Sequence, residues 1–562
     1  MTQHRPPRKA CDLCYRKKIK CDAQRPRCSH CIVYDSACTF AAASRKARAE
    51  KKRQSPNEGI EALQSRMKQL EKNLSQALEK IDQLEGCVSQ EKTVASNQSS
   101  MISSSLQEQQ DLDGGEILDF VDGSLLDLPP LHEALPAVEK YLATLNSVIP
   151  LFHPGRLLNS LRSLYAPLVQ RHRSTWAAIN VVLALAHSCH VPSDQPTPTP
   201  SSINAAHYLN KAQSVLTEVI MGEADIVSVQ ILLGLAMLFQ GSRNLKPAAM
   251  LIAIALRLAH ELGLHDRRRS ENLNRLSTLE RDRVFWIAYI IDRDISMRTK
   301  QPPIQLETDL DIDLPSVEPE DGAGLAFAAD SSLSFNFFRA RVQLASIQGR
   351  VYEILYSVRA QTLNVDQRND NLAALGGMLD DWASQIPSHF RPNAVLQSCD
   401  PDLFRTFGIL YSTHLSCRAL ICRAHAMETR WLQSLQDFGA KALQRRMIEP
   451  VLLLPQGWQV LVNECREYMR LFTGIERKDP ALIWMTGCTY VSGSICLIAN
   501  NMLHPNHETL EYDQSIAELS LLLLEEMIQQ EPYEPLRKVR NACSELLQLA
   551  SRISLQNGFL PL

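Results

Sequence analysis

The stretch CDLCYRKKIKCDAQRPRCSHCIVYDSAC, residues 11–38, holds six of the fifteen cysteines of this 562-residue chain. Its pattern is C-x2-C-x6-C-x6-C-x2-C-x6-C. It consists of two similar halves, each a CxxC unit followed by six residues and a third cysteine. Zinc prefers four tetrahedral ligands and binds thiolates well. Six thiolates fit one zinc ion with two spare cysteines, or two zinc ions that share two sulfurs. The repeat favours two ions, with the ligands Cys11, Cys14, Cys21, Cys28, Cys31 and Cys38.

The charge of the chain is unevenly distributed, although its net value is only −3. Residues 1–53 hold 15 Lys and Arg against 4 Asp and Glu, and the remainder holds 44 against 58. A basic segment on an acidic body is typical of a protein that binds a polyanion. The basic start precedes no apolar stretch, and no uncharged apolar run of about 18 residues is apparent, so we expect no secretory signal, disulfides or membrane association.

The cysteine pattern resembles that of the fungal Zn(II)2Cys6 binuclear-cluster transcription factors. The resemblance covers all six cysteine spacings, the basic run at 16–20 and Arg25-Pro26. It implies that Cys11 and Cys28 bridge two zinc ions, Cys14 and Cys21 complete one site, and Cys31 and Cys38 complete the other. Because the module has few large apolar residues, metal binding is expected to supply most of its folding free energy.

The basic run is the expected DNA-reading element of a DNA-binding domain at 1–40. The resemblance implies a short helix whose end enters the major groove over a CGG triplet, with Lys17 and Lys18 contacting the bases. Guanine N7 and O6 accept hydrogen bonds from lysine. Arg16 and Lys20 are assigned to phosphates, which contribute affinity without sequence information. The alternative is a solvated basic face or a nuclear localisation signal.

A basic linker and a heptad repeat follow. The linker at 41–59 contains RKAR, and its Arg45 and Lys46 are expected to follow the DNA backbone or serve nuclear import. Residues 60–88 place apolar side chains at a and d, as in a parallel two-stranded coiled coil. The alternative is one amphipathic helix packed on the body. The predicted dimerisation residues are Ile60, Leu63, Met67, Leu70, Leu74, Ile81 and Leu84.

Residues 89–128 form a predicted linker, disordered at first because it is rich in Ser and Gln and then acidic. Its end, 111–128, mixes acids with apolar residues and suits either an activation segment or a linker docked on the body. From 129 to 562, apolar residues recur at helical spacing, which predicts a large all-helical regulatory domain. The expected fold is therefore mainly α.

The body resembles the fungal-specific transcription factor domain, also called the middle homology domain. The residues that support this lie at 128–154, 255–267 and 280–315. The third segment departs from the family at 300–302, where Lys-Gln-Pro replaces a common Gly-Arg-Pro. In that family the helical domain regulates the activity of the transcription factor. The resemblance therefore implies a small-molecule effector or a co-regulator as a partner.

Catalytic motifs are not apparent in the body. His260 and His265 lie five residues apart, about 140° around a helix, and a zinc-protease pair needs a spacing of four. His187 and His190 have no third ligand nearby in sequence. The charged residues around the aromatic core at 285–286 are expected to form a structural ion network, and they are Glu280, Arg281, Arg283, Asp292, Arg293 and Asp294.

Together these features predict a nuclear, zinc-dependent transcription factor for RNA polymerase II genes rather than an enzyme. It would bind double-stranded DNA as a homodimer, with two zinc ions per chain. By resemblance it would be a pathway-specific activator, with a secondary-metabolite gene cluster favoured over nutrient catabolism. The alternatives are a repressor or scaffold and, more remotely, an enzyme with a DNA-targeting zinc head.

Overall fold

A computed structural model describes residues 10–16, 21–22, 24, 26–33, 37–39, 126–166, 172–188, 200–424, 429–444, 454–455, 457–473, 480–530 and 533–558. The chain divides into two compact units, Met1–Leu118 and Asp119–Leu562. The predicted basic linker at 41–59 and coiled coil at 60–88 lie outside the described residues. Both units are described below, each by itself.

Unit 1 contains two short helices, one in each half of the cysteine repeat. Helix α1 spans Asp12–Arg16 and helix α2 spans Ser29–Val33. Each begins directly after the first cysteine of its half. Asp12 lies in the first turn of α1, where its negative charge interacts favourably with the helix dipole.

Unit 2 is a helical array, so the predicted mainly α fold is confirmed. In chain order the helices of the described part are α3 Leu131–Ala143, α4 Leu145–Val148, α5 Pro154–Tyr165, α6 Arg173–Ser188, α7 Pro200–Gln213, α8 Leu216–Met221, α9 Ile226–Gln240, α10 Lys246–Glu261, α11 Arg275–Thr299, α12 Phe337–Leu355, α13 Val365–Ser384, α14 Pro392–Ser398, α15 Pro401–Ile421, α16 Thr429–Leu443, α17 Trp458–Thr473, α18 Pro480–Leu503, α19 Leu510–Gln530 and α20 Glu534–Gly558.

One feature of unit 2 differs from the sequence expectation. A small antiparallel hairpin pairs β1, Leu325–Phe327, with β2, Ser334–Asn336, in a segment too short to show strand periodicity. Leu126 and Leu128, at the end of the predicted linker, pack against an apolar cluster of the body that includes Trp176. Such a contact is expected from the alternative in which this end of the linker docks on the body.

Polar side chains fix the starts of several helices. Asp225, Asn274, Asn336 and Asp400 each accept a hydrogen bond from a backbone N–H in the first turn that follows. These caps satisfy N–H groups that have no partner within the helix. Lys300, at the departure from the family pattern, ends α11 with φ 56°. Glycine suits this left-handed position because it lacks a Cβ atom.

The core of unit 2 consists of two apolar clusters. The first is built by helices α3 to α11 and includes Trp176, Leu232 and Phe285. The second is built by α12 to α20 and includes Phe407 and Met469. Helices α11 and α12 contribute side chains to both clusters, so this helix pair joins them.

Helix α18 contains a segment, Ala481–Leu503, that is long and apolar enough to span a membrane by length and composition. Small polar residues interrupt its apolar run, so the sequence does not show it as an unbroken apolar stretch. Within the unit, 67% of its 18-residue apolar window is buried. A core helix meets the same criteria, so the helix is weak grounds for a membrane span.

Candidate metal centre

The six cysteines of unit 1 converge into two sets of four. One set is Cys11, Cys14, Cys21 and Cys28, and the other is Cys11, Cys28, Cys31 and Cys38. Within each set the sulfur atoms all lie within 4.8 Å of one another. Cys11 and Cys28 belong to both sets. The arrangement therefore offers two four-sulfur sites that share two sulfurs.

The sulfur separations suit a shared metal rather than disulfides. Cys11 Sγ lies 3.8 Å from Cys28 Sγ and 3.6 Å from Cys31 Sγ, and Cys14 Sγ lies 3.7 Å from Cys28 Sγ. With zinc–sulfur bonds of about 2.3 Å, the edge of a tetrahedral thiolate site is about 3.8 Å. A disulfide needs about 2.05 Å. None of the six cysteines is in a disulfide.

The two halves of the module repeat one set of contacts. The backbone N–H of Cys11 points to Cys21 Sγ and that of Cys28 to Cys38 Sγ, each at 3.5 Å. Both pairs are ten residues apart. The two halves therefore hold their third cysteine in the same way, which is the symmetry expected of two equivalent sites.

Each half also holds the start of the other half's helix. Thr39, which follows Cys38, donates its hydroxyl to Asp12 Oδ2 at 2.9 Å and accepts the Asp12 N–H at 2.7 Å. Asp22, which follows Cys21, accepts the N–H of Ser29 at 3.2 Å. The sequence analysis missed these supporting residues. Aligning the two halves would have found them, because each follows the last cysteine of its half.

Sulfur takes the place of a hydrocarbon core in the described part of unit 1. Cys11, Cys14, Cys28 and Cys31 are fully buried, with Leu13 packed against them, whereas Ile32 is 60% exposed. Burying one small group of thiols gives little hydrophobic stabilisation. The fold of this module therefore depends on whatever binds the sulfurs.

The six thiols lie so close together that their ionised forms need a cation to stabilise them. Burial raises the pKa of Cys14 and of Cys31, because desolvation disfavours the thiolate. Burial also opposes ionisation of Cys11, but hydrogen bonds from Cys14, Cys31 and Cys28 lower its pKa to about 6. A divalent ion stabilises thiolates by direct coordination. The donor set, six sulfurs in two overlapping tetrahedra, fits zinc.

The predicted DNA-contacting residues are only partly within the described part of the chain. Arg16 is the last residue of α1, two positions after Cys14. Lys17, Lys18, Lys20, Arg45 and Lys46 lie outside the described residues, as do the seven predicted dimerisation residues. The described structure therefore places the start of the predicted reading helix against the sulfur cluster.

The histidine pair of the body is closer than its spacing predicts. The rings of His260 and His265 lie 4.8 Å apart between centroids, whereas one continuous helix would separate the two residues by about 140°. Helix α10 ends at Glu261, and Gly263 with φ 67° turns the chain back. Among the described residues, only the two cysteine sets gather three or more ligand groups. His260 instead contacts Gln305 Oε1 at 2.6 Å.

The charged residues around the aromatic core serve structure. Glu280 pairs with Arg156, Arg283 with Asp321, Arg293 with Asp292, and Asp294 with Arg341. Arg281 donates to the backbone carbonyl of Leu262 at 2.7 Å. His187 stacks on Tyr208 at 5.6 Å. These are pairings of a structural network, and they leave no convergent carboxylate pair among them.

Comparison with known proteins places both units in a family. Residues 9–47 match the fungal Zn(2)-Cys(6) binuclear cluster domain, and residues 138–384 match the fungal specific transcription factor domain. Neither match is to an enzyme domain.

Curated relatives agree with these matches. The chain is 31% identical over 75% of its length to an ABC-transporter-regulating transcription factor of Aspergillus oryzae, and 30% identical over the same share to one of Aspergillus fumigatus. It spans 47% of each of these relatives, about half their length. It is also 26% identical over 60% of its length, and 66% of the relative, to the Fusaridione A cluster transcription factor of Fusarium heterosporum.

Proposed function

Since this chain belongs to the fungal Zn(II)2Cys6 transcription factors, we propose that unit 1 holds two zinc ions and uses them to present cations to DNA. One observation carries the proposal: Cys11 and Cys28 belong to both sulfur sets. Two tetrahedral ions need eight ligand positions, and six thiolates supply eight when two of them bridge. Cys14 and Cys21 then complete one site, and Cys31 and Cys38 the other.

The DNA contacts follow from where the cluster holds α1. Lys17 and Lys18 follow Arg16 directly in sequence and are the proposed base-reading residues for a CGG-type triplet. Arg16, Lys20, Arg45 and Lys46 are assigned to phosphates. The zinc ions supply folding and the positioning of α1, and this chain's own cations make the contacts.

The regulator is proposed to act in the nucleus as a homodimer. The coiled coil at 60–88 pairs two chains, so that two clusters meet two half-sites. Unit 2 regulates this activity, through an effector or a co-regulator. An activator is favoured over a repressor by the resemblance to the family, and residues 111–128, which mix acidic and apolar side chains, suit either an activation segment or a linker docked on the body.

Two target classes are proposed. A secondary-metabolite gene cluster is the first, and the similarity to the Fusarium regulator supports it. Genes of ABC transporters are the second candidate, which the Aspergillus relatives favour by name. Genome-wide mapping of the bound sites separates the two classes by the genes that adjoin them.

The central test measures zinc and DNA binding on the full chain. We expect two zinc ions per chain and zinc-dependent binding to a CGG-containing duplex. Cys11→Ser removes a sulfur common to both sites and should lose both ions, whereas the exposed Cys399→Ser should keep both. One zinc per wild-type chain would contradict the binuclear centre.

A second arm tests base reading. Lys18→Ala should weaken binding to the CGG duplex by about 1–3 kcal/mol and leave binding to an unrelated duplex nearly unchanged. Equal losses on both duplexes would reassign Lys18 to a phosphate contact.

A further inference from the structure

A cavity of about 140 Å³ lies in unit 2 between the two apolar clusters. Helices α6, α9 and α11 line one side, and α12, α15 and α18 line the other. Most of the wall is aliphatic. Side chains that contribute to it include Leu185, Met237, Leu238, Ile287, Ile290 and Ile409. Gly241, at the end of α9, also lines it, where a Cβ atom would lie 2.5 Å from Ala481.

One part of the wall is polar and is organised around Asp294. Its carboxylate accepts a hydrogen bond from Arg341 Nη2 at 2.7 Å and one from Gln348 Nε2 at 3.0 Å. Arg341 is 3% exposed and Gln348 is 4% exposed. This arrangement fixes the orientation of the Arg341 guanidinium and neutralises Asp294.

Two buried hydrogen-bond donors of the cavity lining remain without a partner. They are Arg341 Nη1 and Gln240 Nε2, and the Gln240 side chain is 5% exposed. A buried donor without a partner costs free energy, more so when it carries charge. Gln348 Oε1 is also unpartnered, but Gln348 lines only a smaller neighbouring cavity, which shares Gln240 and Asp294 with this one. The cavity therefore offers two donors to an acceptor.

The unpartnered donors of the lining favour an acceptor that carries negative charge. One of them, Arg341 Nη1, belongs to a guanidinium, and hydrogen bonds from a charged donor to an anionic oxygen are stronger than those between neutral groups. A guanidinium and an amide together suit the two oxygens of a carboxylate.

We propose that this cavity binds an amphipathic organic anion, a small molecule with an apolar body and one carboxylate. The carboxylate oxygens accept from Arg341 Nη1 and Gln240 Nε2, and the apolar body packs on the aliphatic wall. Because the walls come from both apolar clusters, an occupant stabilises their packing against each other. The inference that this binding regulates the protein rests on the proposed function, whereas the inference that the cavity binds an anion does not.

The test uses octanoate, octanol and octylamine as probes on the zinc-loaded full chain. Calorimetry and thermal unfolding report binding. Octanoate should bind at least ten-fold more tightly than octanol and should raise the midpoint of unfolding, and octylamine should bind weakest. The proposal would be overturned if octanoate and octanol bound with equal affinity or if octylamine bound more tightly than octanoate. It would also be overturned if octanoate did not bind, which would show that the cavity holds only water.

Three variants locate the binding. Gln240→Leu removes one of the two donors and should weaken octanoate binding about ten-fold with little effect on octanol binding. Val148→Phe, in the cavity wall, should abolish binding of both. Val358→Phe, 82% exposed and outside the wall, is the control that should change neither. Unchanged octanoate affinity in Val148→Phe would place the anion elsewhere and overturn the assignment.

Binding to a CGG duplex is measured on the same samples. If zinc-dependent DNA binding is intact and octanoate does not bind, the assignment of the cavity as an anion site is overturned and the proposed function is not. Octanoate binding without zinc-dependent DNA binding would overturn the proposed function alone.

Discussion

Arg293 shows at the residue scale how the body uses charge. It is 1% exposed and donates to Asp292 Oδ2 at 2.6 Å, to the Gln305 carbonyl at 2.8 Å and to Glu307 at 2.8 Å. Its guanidinium also lies 4.2 Å from the centre of the Tyr289 ring. Asp292 in turn accepts backbone N–H groups of the loop that follows α11. These two adjacent residues fasten that loop to the helix.

Arg293→Met should destabilise unit 2 by about 3–5 kcal/mol, because it leaves the buried Asp292 without its charged partner. Urea denaturation followed by circular dichroism measures the loss. Arg257→Met, at an exposed position of α10, is the control and should change stability by less than about 0.5 kcal/mol. Equal shifts in both variants would mean that the buried ion network contributes nothing specific.

His414 is a second residue whose burial has a measurable effect. It stacks on Trp382 at 5.3 Å, meets Tyr468 edge-on, and lies 3.9 Å from Glu464. Burial, assisted by the charge of Arg418, lowers its pKa to about 3. The unfolded chain, with a histidine pKa near 6.5, therefore binds a proton that the folded chain excludes as the pH falls between these values.

The His414 contribution to stability should consequently fall with pH below about 6.5, by up to about 1.4 kcal/mol per pH unit. Burial raises the pKa of the neighbouring Glu464 to about 7, which acts with the opposite sign, so the comparison with a His414 variant isolates the histidine. His414→Phe keeps a ring in place and should flatten the dependence between pH 6 and 4, roughly the range that both pKa values bracket. Urea midpoints across this range provide the measurement. The exposed His132→Phe should retain the wild-type slope. A slope unchanged in His414→Phe would contradict the assignment.

At the element scale, each short helix of unit 1 is held by two sets of contacts. A cysteine pair places it on the sulfur cluster, and a residue of the other half binds its first turn. Helices of five residues have little stability of their own, since nucleation is costly. The heptad at 60–88 is a different kind of element, because its apolar face needs a partner.

Leu70→Pro should convert a dimer into a monomer, because proline breaks the helix at a central d position. Light scattering after size-exclusion chromatography measures the mass. Leu106→Pro, in the segment predicted to be disordered, is the control and should stay dimeric. A dimeric Leu70→Pro variant would show that the main interface lies elsewhere.

At the scale of the whole molecule, the two units obtain their stability from different sources. In unit 1 the fully buried residues named above are cysteines, whereas unit 2 has two extended apolar clusters. Hydrophobic burial stabilises the second, and metal coordination is expected to stabilise the first.

A zinc chelator should therefore unfold unit 1 and abolish DNA binding while unit 2 keeps its helical signal and its unfolding midpoint. Circular dichroism and a gel shift on the same sample measure the two effects. Chelator saturated with zinc is the control. Loss of the helical signal in step with the metal would show that unit 2 depends on zinc as well.

The sequence alone determined the candidate metal centre and the helical character of the body. All six cysteines fall within 28 residues, so their spacing restricts which sulfurs meet, and apolar periodicity reports which helix face is buried. Only the tertiary structure decided contacts between distant residues. Gly263 turned His265 back onto His260, a loop supplied the partners of Arg293, and the cavity combines residues from Leu145 to Met485. The reason is physical: local spacing fixes nearby geometry, whereas packing of separate helices depends on the side chains of the whole core.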